Sequence, residues 1–164
     1  MAKIFCTSTR LKAFHSKFIS CNEVVNVTEW CCKCEKCAFV CLILSAFLPP
    51  SEVRAVFHGR DLLSDVNMTK TFLSLVGGVG DGEKPFECVG TSSETQAAVE
   101  MTVGMLMKSA ESDCYLTGDN GMCFPQGLVP VCDYLGISTS ELPEYAGLPV
   151  DEQLTAVINK YING

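Results

Sequence analysis

Four of the eleven cysteines in this 164-residue chain, Cys21, Cys31, Cys34 and Cys37, stand at a spacing that suits one metal ion. Two linked CxxC steps put Cys31, Cys34 and Cys37 on one tight turn and the start of a helix, and Cys21 arrives from a loop upstream. Tetrahedral zinc takes four such soft ligands, and a structural zinc is the reading the spacing favours. An iron–sulfur cluster also takes four cysteines, and the sequence does not separate the two. A redox CxxC fits less well, because no strand precedes it. Simple burial in a core sits poorly with the Lys and Glu residues between the cysteines. Cys32 and Cys41 are near enough to substitute as ligands, but only the four named cysteines fit the spacing without crowding. Lys33 and Lys36, between the ligands, favour thiolates and offset the negative charge of a four-thiolate centre.

A second group of reactive side chains lies in VGGVGDGEKPFECVG, residues 76–90, whose five glycines and one proline predict a loop with unusual backbone angles. Glu83, Lys84, Glu87 and Cys88 sit inside it, and reactive groups on a loop point to function more strongly than the same groups in a core. A linker between two helical lobes is the alternative. The run Gly77 to Gly82 is no phosphate loop, since it has no Lys-Ser/Thr pair and no clear strand leads into it. The two histidines promise less: His15 is expected to be packed on an apolar helix face, and His58 to cap a helix end. Asp61 and Asp65 could meet magnesium but read better as a solvated turn.

These groups need elements to hold them. Helical periodicity predicts a short amphipathic helix over Thr7 to Ile19, with Leu11, Phe14, His15 and Phe18 on one face, then a connector to Trp30. A second helix runs from Lys33 to about Leu48, where Pro49 and Pro50 stop it, and Ser51 can cap a short helix to His58. Met68 to Val76 is helical again. Thr91-Ser-Ser-Glu94 is a capping box opening a helix to about Lys108, with Ala98, Met101, Met105 and Leu106 on its apolar side. Residues 111–126 read as irregular, with Cys114 and Cys123 too far apart for a CxxC unit. Gly127 to Leu135 is a short helix. The last, Val150 to Ile162, places Leu154, Val157, Ile158, Tyr161 and Ile162 on one face.

Composition narrows the class. Of the residues, 48% are apolar and 19% charged, so the chain is globular. Its formal net charge of −7 and the lack of any Lys/Arg run argue against nucleic-acid binding. The longest apolar stretch, AFVCLILSAFL from Ala38 to Leu48, is too short to span a bilayer and reads as a buried helix, so no membrane association is expected. Met1 to Ser20 carries Arg10, Lys12, His15 and Lys17 without a continuous apolar core, so no export signal is read there. An odd cysteine count and a reducing compartment go together. The expected location is the cytoplasm, or the plastid stroma in a eukaryote.

Two stretches together carry a resemblance. SCNEVVNVTEWCCKCEKCAFVCLILSAFLPP, from Ser20 to Pro50, and GEKPFECVG, from Gly82 to Gly90, resemble the carboxy-terminal half of the UDP-N-acetylmuramoyl-L-alanyl-L-glutamate epimerases, the MurL family. The SCN, WCxKCxKC and KPFECVG elements stand in the family's order, with the familial-looking DLLSD (Asp61 to Asp65) between them. The resemblance covers roughly Phe14 to Met105.

It implies an enzyme that converts the terminal L-glutamate of UDP-MurNAc-L-Ala-L-Glu to D-glutamate for peptidoglycan synthesis, using ATP and magnesium. Adenylation of the glutamate carboxylate removes the negative charge that resists loss of the α-proton, and reprotonation from the opposite face inverts the centre. On this reading Lys84 holds a carboxylate or phosphate, while Glu87 and Cys88 exchange protons with the α-carbon. The alternative is that Pro85 and Phe86 anchor a domain junction and Cys88 is buried.

The resemblance also implies a Ser-Gly-Gly-Lys-Asp-Ser-like ATP-pyrophosphatase loop, which nothing in the chain matches. The expectation is therefore a mainly α fold: a small helical domain with a four-cysteine metal knuckle. It would be the C-terminal part of an ATP-pyrophosphatase-like α/β enzyme whose nucleotide-binding half is absent and is supplied in cis or in trans. The expected divisions are residues 1–50 (helix, zinc knuckle and buried helix), 51–110 (helical segment with the KPFECVG loop) and 111–164 (irregular stretch and last helix). A competing function is a non-catalytic zinc-stabilised helical binding module, or a remnant of an ATP-pyrophosphatase-type enzyme. The 7-cyano-7-deazaguanine synthases, which end in a similar four-cysteine zinc site, are one such relative.

Overall fold

A computed structural model describes residues 1–21, 23, 29–78, 89–108, 124–139 and 144–161. These residues form helices and turns, with no strand among them. In chain order the α-helices are α1 (Ala2–Thr7), α2 (Glu35–Ser45), α3 (Pro50–Val56), α4 (Thr69–Leu75), α5 (Ser92–Lys108), α6 (Val129–Leu135) and α7 (Val150–Tyr161). Short 3₁₀ turns lie at Lys12–Lys17, Val66–Met68 and Glu144–Gly147.

The start of the chain differs from the sequence expectation. The expected helix from Thr7 to Ile19 is two elements: α1 ends at Thr7, and a 3₁₀ turn follows at Lys12–Lys17. The turn serves a tertiary contact. His15 is buried, and its Nε2–H donates to the Phe5 carbonyl of α1 at 2.9 Å. Phe5 stacks at 4.7 Å on His15 and at 5.2 Å on Phe18. The packed histidine expected from the pattern is present, on a tighter turn than an α-helix.

Helices α2 and α5 form the centre. Helix α2 is apolar nearly all round, and Cys37, Ala38, Val40, Cys41, Leu42 and Leu44 are buried, as expected of a core helix. It ends at Ser45, short of the expected Leu48, and Pro49 rather than Ser51 is the residue that leads into α3. A proline within the first turn is tolerated because its missing N–H would find no helical partner there. Helix α5 begins at the predicted capping box. The Glu94 N–H donates to Thr91 Oγ1 at 3.1 Å, and the Glu94 carboxylate accepts from the Thr91 N–H at 2.5 Å. The sequence assigned α5 one apolar side, yet Thr95, Glu100 and Thr102 are buried too. Thr102 explains why: its hydroxyl donates to the Leu42 carbonyl of α2 at 3.2 Å, so a polar side chain buried between the two helices is satisfied.

Helix α4 packs on α2 and α6, and α7 packs on α5. One buried cluster runs from Cys6 through Trp30, Phe57, Phe72, Val99 and Val103 to Cys132. A smaller one joins Ala46, Ala97 and Met101 to Val157 of α7. Helix α6 stops at Gly136 in the left-handed conformation (φ +65°), with the Ile137 N–H returning to the Cys132 carbonyl at 2.9 Å. No helix among the described residues is long and apolar enough to cross a membrane.

Candidate metal centre

The cysteine cluster is built at the N-terminal end of α2. Cys34 is the N-cap residue, with extended backbone, and Cys37 lies in the first turn. The free backbone N–H groups and the dipole of a helix start favour negative sulfur there. Cys31 and Cys32 are neighbours in sequence that do different jobs. Cys32 takes a left-handed backbone (φ +57°), unusual for a residue with a side chain. Cys31 joins the cluster, whereas Cys32 is buried with its thiol hydrogen-bonded by Arg60. Burial pushes the Cys32 thiol up, and the Arg60 charge only partly opposes this. Cys41, the other expected substitute, is fully enclosed within α2, and burial raises its thiol far above the usual range.

The four expected ligands come together. Their sulfurs all lie within 4.8 Å of one another. Cys34 and Cys37 are 3.5 Å apart, Cys31 and Cys37 3.6 Å, and Cys21 and Cys34 3.8 Å. A tetrahedral ion with metal–sulfur bonds of about 2.3 Å requires sulfur–sulfur edges of about 3.8 Å. The donor set and its size therefore fit one tetrahedral ion. No other group of three or more His, Cys, Asp or Glu residues suited to a metal occurs among the described residues.

The electrostatics also fit a cation. Burial pushes the Cys34 thiol up to about 11 and the Cys37 thiol higher still, against partial relief from the N–H groups of Cys37 and Cys32. Burial thus disfavours the thiolates of Cys34 and Cys37, and a bound cation would supply the charge that favours them. Cys21 differs. It is only half-buried, and N–H groups from Cys31 and Glu23 outweigh its burial and lower its pKa. Lys33, expected to balance the centre's charge, is exposed and lies 3.7 Å from Glu23.

The expected catalytic residues Lys84, Glu87 and Cys88 lie outside the described residues, as do Glu83, Cys114, Cys123 and most of the Gly77–Gly82 run. Asp61 and Asp65 behave as turn residues. Asp61 accepts from the N–H of Ser64 at 3.2 Å and its hydroxyl at 3.1 Å, and Asp65 caps its turn by accepting from the Asn67 N–H at 2.9 Å. His58 follows the end of α3, exposed, with φ +55°. Sequence reasoning missed Arg60, which touches the cluster's neighbour Cys32, and Tyr134, whose hydroxyl donates to the Gly77 carbonyl at 3.0 Å. Neither has a local signal, since both act across the fold.

The family defined as the MurL C-terminal domain matches residues 17–112, a stretch that holds all four cysteines of the cluster. The chain belongs to this family. Three curated relatives are each named UDP-N-acetyl-alpha-D-muramoyl-L-alanyl-L-glutamate epimerase. The protein of Salinispora tropica is 36% identical over 99 residues, covering 58% of this chain and 21% of its own length. That of a Micromonospora species is 38% identical over 86 residues, covering 50% and 19%. That of Xanthomonas oryzae pv. oryzae is 34% identical over 92 residues, covering 52% and 20%. Each match thus spans about a fifth of the relative, and α1, α6 and α7 of this MurL-family chain lie outside residues 17–112. No solved structure matches the chain.

Proposed function

We propose that the chain serves as the C-terminal domain of an ATP-dependent epimerase that converts the terminal L-Glu of UDP-MurNAc-L-Ala-L-Glu to D-Glu for peptidoglycan synthesis. The observation that carries this is the match over residues 17–112 to the MurL C-terminal domain, in relatives named for that epimerisation. The compartment is the cytoplasm. ATP and magnesium act at a nucleotide-binding domain supplied in cis or in trans, where the glutamate carboxylate is adenylated. This domain forms the peptide end of the site. Lys84 holds an anionic group of the substrate, and Glu87 and Cys88 move the α-proton from one face to the other.

The four-cysteine centre holds zinc with a structural role. Three features support this: an all-sulfur donor set, sulfur–sulfur distances suited to one ion, and the burial of Cys34 and Cys37. An iron–sulfur cage shares its thiolates among several irons and spreads them farther apart. The zinc ties the segment bearing Cys21 to the start of α2 and so stabilises the domain.

The test is a chimera. Residues 14–161 replace the matched C-terminal segment of the Xanthomonas oryzae enzyme, and conversion of UDP-MurNAc-L-Ala-L-Glu is followed with ATP in deuterated water. The expected result is D-Glu with deuterium at its α-carbon. A folded, zinc-loaded chimera with no epimerisation, beside an active parent, would overturn the catalytic reading and leave a zinc-stabilised binding module.

A further inference from the structure

Cys32 holds a backbone conformation that a glycine would take freely. Its φ of +57° lies in the left-handed region, where a residue with a side chain is strained and persists only if its surroundings hold it. The side chain is what holds it. Cys32 is 7% exposed, and its thiol accepts a hydrogen bond from the Arg60 guanidinium. The turn fixed in this way faces the cluster with its peptide groups. The Cys31 N–H donates to the Cys21 sulfur, and the Cys32 N–H donates to the Cys37 sulfur. One short turn thus supplies two backbone donors to the cluster, along with the Cys31 thiol itself.

Arg60 reaches this turn from a firm base. Helix α3 ends at Val56, and Phe57 after it is fully buried, with its ring 4.8 Å from that of Trp30, the residue before Cys31. His58 (φ +55°) and Gly59 (φ +86°) then reverse the chain. The Gly59 N–H donates to the Arg54 carbonyl at 2.7 Å, and the Arg60 N–H to the Phe57 carbonyl at 3.1 Å. On the far side Asp61 accepts from the Ser64 N–H and hydroxyl and lies 3.8 Å from the Arg54 guanidinium. Arg60 therefore stands between two anchored residues. The end of α3 meets the metal turn at two points, Phe57 on Trp30 and Arg60 on Cys32. Arg60 is exposed, so core packing does not account for its contact with a buried thiol.

We propose that Arg60 is a positioning residue for the metal centre: by holding the Cys32 side chain, it fixes the left-handed turn that delivers Cys31 and two N–H donors to the ion. This rests on the metal reading of the four cysteines. Groups just outside a ligand set commonly orient the ligands in this way. The contact runs through one sulfur, so it can be cut from either side. Serine at position 32 still accepts from Arg60, and alanine does not.

The experiment measures zinc affinity of the full chain by competition with a chelator, and the visible spectrum of the chain loaded with cobalt(II), whose bands report thiolate geometry. Arg60→Met is expected to weaken zinc binding about 10-fold, the low end of what such a partner is worth, and to alter the cobalt spectrum. Cys32→Ala should do the same, and Cys32→Ser should stay near the parent. The double variant Arg60→Met/Cys32→Ala should be no worse than either single one, because both remove the same contact. Amide exchange should quicken at Cys31 and Cys32 and stay unchanged in α5, which shows that the fold is kept. Parental affinity and spectrum in Arg60→Met would overturn the proposal. So would additive losses in the double variant, which mark Arg60 as a charge acting on the cluster without Cys32. A parent chain that takes up neither zinc nor cobalt sinks the metal reading and this proposal with it, whereas a parent that binds beside an unaffected Arg60→Met sinks the proposal alone.

Discussion

The Lys160 ammonium of α7 lies 2.7 Å from a carboxylate oxygen of Glu100 on α5, a residue 60 positions earlier whose side chain is only 7% exposed. It also sits 4.8 Å over the Tyr161 ring. With Val157 on Ala97 and Met101, this pair fastens the terminal helix to the family-matched core. Lys160 itself is 55% exposed, so solvent screens part of the attraction. Removing it still leaves a buried carboxylate short of a cation. Lys160→Ala is expected to lower stability by about 1–2 kcal/mol, read by urea denaturation, with faster amide exchange in α7.

The same contact makes α7 sensitive to alkali. Burial lowers the Lys160 pKa, but its bond to the Glu100 carboxylate and the nearby Tyr161 phenol outweigh that and raise it above the usual lysine value. Burial, with the Glu100 carboxylate nearby, pushes the Tyr161 phenol up to about 12. Both folded pKa values lie above the unfolded ones. The stability from each is therefore fully present below its unfolded value, about 10 for both groups, and is lost as pH rises through the folded value. Stability and α7 protection should fall above about pH 10, alongside a late tyrosinate absorbance change that Tyr161→Phe removes. A pH-independent α7 between neutrality and pH 12 would contradict this.

Metal analysis should find one zinc per chain after purification without chelator. Cys34→Ser or Cys37→Ser should abolish binding and lower the thermal midpoint sharply, since structural zinc contributes on the order of 10 kcal/mol in small zinc peptides. Cys21→Ser, at a half-buried ligand, should weaken binding with a smaller loss of stability. Cys32→Ser should keep the metal. The Cys34 and Cys37 thiols stand above their usual pKa without metal, so binding displaces protons, and affinity should fall steadily on acidification. Full zinc occupancy in Cys34→Ser would remove Cys34 from the ligand set.

In the chimera, Glu87→Gln and Cys88→Ala should each slow epimerisation by about 10²- to 10⁴-fold, the usual weight of a positioned acid or base, with zinc content unchanged. Lys84→Ala should act mainly on substrate affinity. Wild-type rates from both Glu87→Gln and Cys88→Ala would end the assignment of these two residues.

Gly127 marks a backbone crossing that leaves no room for a side chain. A Cβ there would sit 2.5 Å from the Asp65 carbonyl oxygen and 2.7 Å from that of Leu63, and Thr69 already donates to the Gly127 carbonyl at 3.1 Å. Backbone cannot rotate out of the way as a side-chain tip can. Gly127→Ala should therefore cost about 1–3 kcal/mol in denaturant unfolding, with zinc content unaltered.

What was readable in the sequence was local. The CxxC steps of the cluster, the Thr91–Glu94 capping box and the Leu154, Val157 and Tyr161 stripe of α7 rely on residues a few positions apart, and the corresponding contacts are present; Ile162, expected on the same stripe, lies outside the described residues. What was not readable depended on distant partners. The stretch from Thr7 to Ile19 has helical periodicity, yet the Phe5 carbonyl draws His15 into a 3₁₀ turn. Thr102 and Glu100 look like surface residues of α5 until Leu42 and Lys160 are placed against them. Cys31 and Cys32 are chemically identical in the sequence, and what distinguishes them is a backbone angle of +57° and the distant Arg60.

Trp30 is the only tryptophan in the chain, is 5% exposed, and adjoins Cys31. Its ring lies 4.8 Å from Phe57 and 5.8 Å from Phe18. The protein therefore carries its own optical gauge. A single emission band, free of overlap from any other indole, is expected to change when the packing of Trp30 on Phe18 and Phe57 changes, and so to respond if metal binding at the neighbouring cysteines alters it. Titrating a chelator against that band would follow the coupling of metal to packing in an unlabelled, unsubstituted chain.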